Sequence, residues 1–179
     1  KLHGPCPGFV PFGGGGIMLA ADWKCTVSNS TFTENQAPEA MGGAISFKRI
    51  PNTPEWNALP NSPSLTVNSG TQFVNNSAME GGGAILTFFV NSEETSNPGA
   101  IDISNSVFQG NTLPGATTLQ GGGGAVNFNN SGAKMTNCEF TSNVSVGGPG
   151  GALTIANAGG TYDPSPSDVT LEECTFHLN

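Results

Sequence analysis

Four cysteines, Cys6, Cys25, Cys138 and Cys174, carry the most reactive groups in this chain. No two of them form a Cys-x-x-Cys, and the two histidines, His3 and His177, stand near the ends. Zinc takes its ligands in closely spaced pairs, so no metal centre is expected. Thiols spaced this widely fit an extracellular, disulfide-permissive setting better. The carboxylates are no more concentrated. Asp22, Asp102, Asp163 and Asp168 are scattered. Glu93-Glu94 and Glu172-Glu173 are adjacent pairs, which a strand would point to opposite faces. Cleavage of an acidic polysaccharide needs clustered acids with Arg or Lys, to bind calcium and abstract a proton. The single arginine, Arg49, falls in a loop, so a polysaccharide-active enzyme is the least favoured reading. Gly121 to Gly124 is a glycine run, but no Lys-Ser/Thr follows it and no helix can supply a dipole for phosphate. No catalytic residue, cofactor or metal is therefore assigned.

Asparagine offers another chemistry. Asn29, Asn75, Asn129 and Asn143 each begin an Asn-x-Ser/Thr sequon. Asn29, Asn75 and Asn129 are expected at exposed corners that could accept a glycan, whereas Asn143 is expected to face inward and stay unmodified.

The elements that must position these groups come from a repeat. Gly-Gly followed by an aliphatic run occurs five times: Gly15-Gly16-Ile17, Gly42-Gly43-Ala44-Ile45, Gly82-Gly83-Ala84-Ile85, Gly123-Gly124-Ala125-Val126 and Gly150-Gly151-Ala152-Leu153. Phe-x-x-Asn alternates with it, from Phe32, Phe73, Phe108, Phe140 and Phe176 to Asn35, Asn76, Asn111, Asn143 and Asn179. Between the two lie apolar pairs one residue apart: Cys25/Val27, Leu65/Val67, Ile101/Ile103, Ala133/Met135 and Val169/Leu171. Apolar residues at period two read as strands with one buried face, and no stretch has helical periodicity. The chain reads as an all-β, right-handed parallel β-helix of about five coils, with three short strands per coil. The coils occupy residues 13–179, behind a lead at 1–12. At a rise of roughly 4.8 Å per coil the stack is about 24 Å tall. The five Phe should stack, and the five Asn should form an amide ladder that satisfies corner backbone groups. A small residue precedes each Phe by two positions: Ser30, Thr71, Ser106, Cys138 and Cys174.

Insertions follow the Gly-Gly strand at Lys48 to Pro63, Asn91 to Gly99 and Asn157 to Asp168, so they project from one edge. A second outgrowth, Thr112 to Gln120, leaves the Asn corner. Insertions on one face of a solenoid often mark a contact surface. Alternation in Ile85 to Val90 places Leu86, Phe88 and Val90 outside, either beneath a neighbouring loop or as a lateral subunit contact.

Composition narrows the partners. Among 179 residues, 10% are charged and the net charge is −8. One Arg and four Lys cannot assemble a basic patch, so neither nucleic acid nor an anionic membrane is an expected partner. No run is long and apolar enough for a helical membrane span.

Gly-Gly-Ala-[Ile/Leu/Val] alternating with Phe-x-x-Asn resembles the repeats of the chlamydial polymorphic outer membrane proteins. The resemblance covers Gly13 to Asn179. It implies a right-handed β-helix, a surface location and an association with adhesion, and it carries over no catalytic residues.

Stacking also sets expectations for thiols and ends. Cys138 and Cys174 occupy one column in adjacent coils, roughly 4.8 Å apart, which is within disulfide range. The alternative is two reduced, buried thiols. Cys6 could reach Cys25 across the first coil. The last Phe-x-x-Asn lacks a following Gly-Gly, and Phe9, Val10 and Phe12 lead into Gly13. The chain is thus in phase at both ends, which suggests head-to-tail homopolymerisation into an extracellular filament. The rival reading is an adhesin segment whose edge loops grip a glycan or receptor. Deleting the Lys48 to Pro63 loop should abolish adhesion of that kind but spare a filament.

Overall fold

The computed structural model describes residues 15–20, 23–48, 64–88, 100–115, 122–156 and 168–179. The lead at 1–12 with Cys6, the bulk of the three edge insertions, residues 116–121 and Val90 lie outside the described residues.

The described chain is a parallel β-helix of about five coils, with strands stacked in four sheets. Sheet A, the Gly-Gly sheet, stacks β1 (Ile17–Ala20), β5 (Ile45–Lys48), β9 (Ile85–Phe88), β13 (Val126–Asn129) and β17 (Leu153–Ala156). Sheet B stacks β2 (Lys24–Ser28), β6 (Ser64–Asn68), β10 (Ala100–Ser104), β14 (Ala133–Thr136) and β18 (Val169–Glu172). Sheet C, the Phe sheet, stacks β3 (Thr31–Thr33), β7 (Gln72–Val74), β11 (Val107–Gln109), β15 (Glu139–Thr141) and β19 (Thr175–His177).

Sheet D was not expected. It holds β4 (Gln36–Met41), β8 (Ser77–Glu80), β12 (Thr112–Leu113) and β16 (Val144–Ser145), each beginning directly after a ladder Asn. Three strands per coil is thereby corrected to four in the first four coils. The second outgrowth also begins as strand β12 rather than as loop. The sequence hides this sheet because its strands are short and their inward residues, Ala37, Ala78 and Leu113, are mostly small; they form a separate buried cluster.

Two corners repeat in each coil as single left-handed residues. Between sheets B and C they are Asn29, Ser69, Asn105, Asn137 and Glu173, and between sheets C and D they are Glu34, Asn75, Gly110, Ser142 and Leu178. The second x of Phe-x-x-Asn is therefore the corner itself. Asn and short polar residues tolerate this conformation best. The residue added in the second coil, Gly70, is absorbed at one such corner, where Ser69 and Gly70 both have positive φ. Downstream register is kept, with Thr31 opposite Gln72 and Phe32 opposite Phe73.

The main core lies inside the four-sided tube and runs its whole length. Its sheet A column is Leu19, Phe47, Thr87, Phe128 and Ile155. Phe47, Phe73, Phe108, Phe128 and Phe140 are fully buried.

Candidate functional site

The Asn ladder is the most developed polar structure in the molecule. Asn76 Oδ1 accepts hydrogen bonds from the backbone N–H and the Nδ2 of Asn35, at 3.0 and 2.8 Å. Asn111 Oδ1 receives the same pair from Asn76, Asn143 Oδ1 from Asn111, and Asn179 Oδ1 from Asn143, all at 2.9–3.0 Å. The second Nδ2 hydrogen turns back to the preceding coil. Asn76 donates to Phe32 O, Asn111 to Phe73 O, Asn143 to Phe108 O and Asn179 to Phe140 O. Every buried rung is thus satisfied at both ends of its amide, as buried polar groups require. The expected amide ladder is present in full, and it has one direction throughout.

Beside it the five Phe stack as expected. Successive ring centroids are 4.7–5.0 Å apart and the planes are within 6° of parallel.

The glycine pairs work through close approach. A Cβ on Gly43 would strike Gly83 O, one on Gly83 would strike Gly124 O, and one on Gly124 would strike Gly151 O. Each of these glycines also abuts the first residue of sheet D in its own coil; an added Cβ on Gly83 would lie 2.7 Å from the Thr112 backbone. None of the three needs positive φ; that falls to Gly42, the first glycine of its own pair, and to Gly81, just ahead of Gly82-Gly83.

This corner corrects one expectation. Leu86 was expected outside, but it is only 1% exposed. The chain entering the glycine turn folds back over the outward face of the strand it leads into. An added Cβ on Gly81 would sit 3.2 Å from the Leu86 side chain, and one on Gly42 would sit 3.2 Å from the Ser46 Cα. Phe88 is half-buried, with Lys48 Nζ 5.0 Å from its ring centroid. Burial also lowers the Lys48 ammonium to about 8. With Leu86 enclosed and Val90 outside the described residues, the expected lateral contact at Leu86, Phe88 and Val90 is not an exposed patch.

The cysteines behave as members of a hydroxyl column. Ser30, Thr71 and Ser106 donate to carbonyls of the preceding strand, Ser28 O, Asn68 O and Ser104 O, each at 2.8 Å. Cys138 Sγ lies 3.5 Å from Thr136 O and Ile103 O, and Cys174 Sγ lies 3.4 Å from Glu172 O and 3.6 Å from Met135 O. Cys25, Cys138 and Cys174 are free thiols, so neither expected disulfide is formed. Side by side on in-register coils, the two unlinked thiols both lie against backbone carbonyls. Burial is the main cause that pushes the Cys138 thiol up to about 12, far from a reactive thiolate.

The sequons divide. Asn29 and Asn75 are exposed at left-handed corners, as expected. Asn143 is a buried ladder rung. Asn129 is a correction: it ends β13 with 2% exposure, closed off where the chain turns through Asn130 and Ser131, so it presents no accessible amide. Sequence spacing identifies a sequon but not the face its Asn occupies.

Among the described residues no group of three or more His, Cys, Asp or Glu could hold a metal ion, and no helix is long and apolar enough to cross a membrane. Lys134 and Glu172 form an exposed ion pair at 2.9 Å on sheet B.

The two faces of the stack differ. Ile155 and Phe176 are each 47% exposed and Leu171 is 41% exposed, although each continues a core column. In the first coil the core residues Leu19 and Val27 are buried. No family model, curated protein or solved structure matches the chain, so its function must be argued from the geometry of the coil itself.

Proposed function

We propose that this chain is a non-enzymatic structural solenoid of the cell exterior, which assembles end to end by continuing its own coil. The observation that carries this reading is the direction of the Asn ladder. Among the described residues, no rung follows the backbone N–H and one Nδ2 hydrogen of Asn179, and none precedes Asn35 Oδ1. A second copy seated on the Asn179 face places its Asn35 Oδ1 against those donors. Its Phe32, only partly buried in the single chain, then continues the Phe stack over Phe176. Such a contact is heterologous and does not close, so it propagates as a filament. Exposed sequons at Asn29 and Asn75 are compatible with an exterior location.

Negative-stain microscopy and sedimentation across a concentration series test the reading. Rods should lengthen with concentration in multiples of roughly 24 Å. Asn179→Asp sets a carboxylate oxygen against the Asn35 oxygen, and Leu171→Lys puts a charge on the face; each should shorten the rods at least tenfold. Particles of one fixed length at every concentration would overturn the proposal, including the case in which further coils of one polypeptide already cover Ile155, Leu171 and Phe176.

A further inference from the structure

The outward faces of the tube are not alike. Sheet B turns Thr26, Thr66, Asp102, Lys134 and Thr170 outward, and sheet C turns out Thr31, Gln72, Glu139 and Thr175 in one column and Thr33, Gln109, Thr141 and His177 in the other, with two valines, Val107 and Val74, neither fully exposed. Both are predominantly polar. Sheet A is covered at Ser46 and Leu86 by the folded-back glycine corners, and its exposed outward hydrophobic is Met18 at the first strand. Among the described residues, sheet D carries exposed apolar residues in all four of its coils.

Its inward column is Ala37, Ala78 and Leu113, continued by Ser145. One residue further along each strand come Pro38, Met79, Pro114 and Val146, all exposed, with Val144 beside them. Val146 is 56% exposed, Val144 46% and Met79 39%. A shallow groove of about 320 Å³ spans the first three coils of the stripe, lined by Pro38, Ser77, Ala78, Met79, Pro114 and Gly115. Glu39 and Glu80 directly follow Pro38 and Met79 in the chain. An apolar patch rimmed by polar residues marks an interaction surface more often than chance exposure does.

We infer that sheet D is a lateral contact between end-to-end stacks of this chain, so that rods associate side by side into bundles; the inference rests on the end-to-end reading above. Size and repetition identify a second copy as the occupant. A stable one-to-one interface takes roughly 20–30 residues a side. Five apolar side chains on one copy fall far short of that, so a single partner protein gains too little from this face to stay bound. In a stack, the same stripe recurs with every copy along one side of the rod. Many weak contacts between two rods then act together, and effective concentration supplies what each contact lacks.

Charge sets the condition. Each copy carries a net charge of −8, with Glu39 and Glu80 next to the stripe, so parallel rods repel at low salt. Screening shortens the reach of that repulsion from about 30 Å at 0.01 M salt to about 3 Å at 1 M, whereas apolar contact survives. Bundling should therefore increase with salt.

The test is microscopy of the assembled full chain at about 0.01 M and about 1 M sodium chloride, scoring rod length and rod width separately. The wild type should give single rods at low salt and bundles several rods wide at high salt. The exposed-site variant Met79→Ser/Val146→Ser should give rods of unchanged length that stay single at both. A control, Thr26→Ser on sheet B, should bundle like the wild type. Wild-type and double-variant rods of equal width at high salt would overturn the lateral contact while leaving end-to-end growth intact. Single rods of the wild type at every salt concentration would do the same. Chains that form no rods at all overturn the end-to-end reading, and the lateral contact with it.

Discussion

A ladder rung in this molecule is worth more than its size suggests. Asn111 donates to Asn143 Oδ1 and Phe73 O and accepts from Asn76 N and Nδ2, all inside a buried column. Removing the amide strands those partners, and each stranded buried group costs about 1–3 kcal/mol. Asn111→Ala should therefore lose roughly 3 kcal/mol or more in urea unfolding, and Asn179→Ala on the exposed face should lose less. A similar loss at both would mean that the ladder is not what holds the column. The cysteines predict the opposite. As hydroxyl mimics bonded to carbonyls, they should accept serine readily. Cys138→Ser/Cys174→Ser should change stability by no more than about 1 kcal/mol, whereas losing a disulfide would cost about 2–5 kcal/mol. Intact mass with and without reductant gives the independent check.

At the scale of the element, the glycine pair is a packing device. Gly83 passes between Gly124 O and the Thr112 backbone, with no space for a methyl group. Gly83→Ala should cost more than about 3 kcal/mol or prevent folding, since neither neighbour is a side chain that can swing away. Gly115→Ala meets nothing within 4 Å and has no positive φ, so it should stay within about 0.5 kcal/mol of wild type. Thermal melts of the two variants separate this account from one based on backbone flexibility, which would penalise both. The same element explains what could be read in advance. Phe and Asn were legible because a left-handed corner fixes the distance between them, so their spacing cannot drift. Sheet D was not, because Thr112–Leu113 and Val144–Ser145 are two residues long and share no side-chain pattern. Leu86 was misplaced because alternation shows which side a residue faces but not what lies over that side, and here Gly81 does. Asn129 was misplaced for the same reason. The cysteine column was found, but its chemistry depended on carbonyls that spacing does not reveal.

At the scale of the whole molecule, the described strands pair between successive coils, so stability accumulates along one dimension and is lowest where a coil has one neighbour. Hydrogen exchange should show this. Amides of β18 and β19, in the coil with exposed Leu171 and Phe176, should exchange faster than those of β10 and β11 in the middle. In assembled material β18 and β19 should slow to the rate of the middle coils. Unchanged fast exchange in material that sediments as rods would mean that the rods join through some other surface.

The corner between sheets A and B has one more consequence. Between β1 and β2 the chain crosses it in three residues, whereas between β5 and β6 it takes fifteen. Yet Lys24 still stands opposite Ser64, and Ala100 opposite Ser64 on the other side. Closing a longer loop costs little more, since the entropy grows only with the logarithm of length. The frame is therefore indifferent to what is spliced in there. Any peptide of moderate length can be carried at this edge, on any of several coils, without altering the tube beneath. Variation at that edge and constancy of the scaffold are separable in this architecture, and the one can change while the other stays the same.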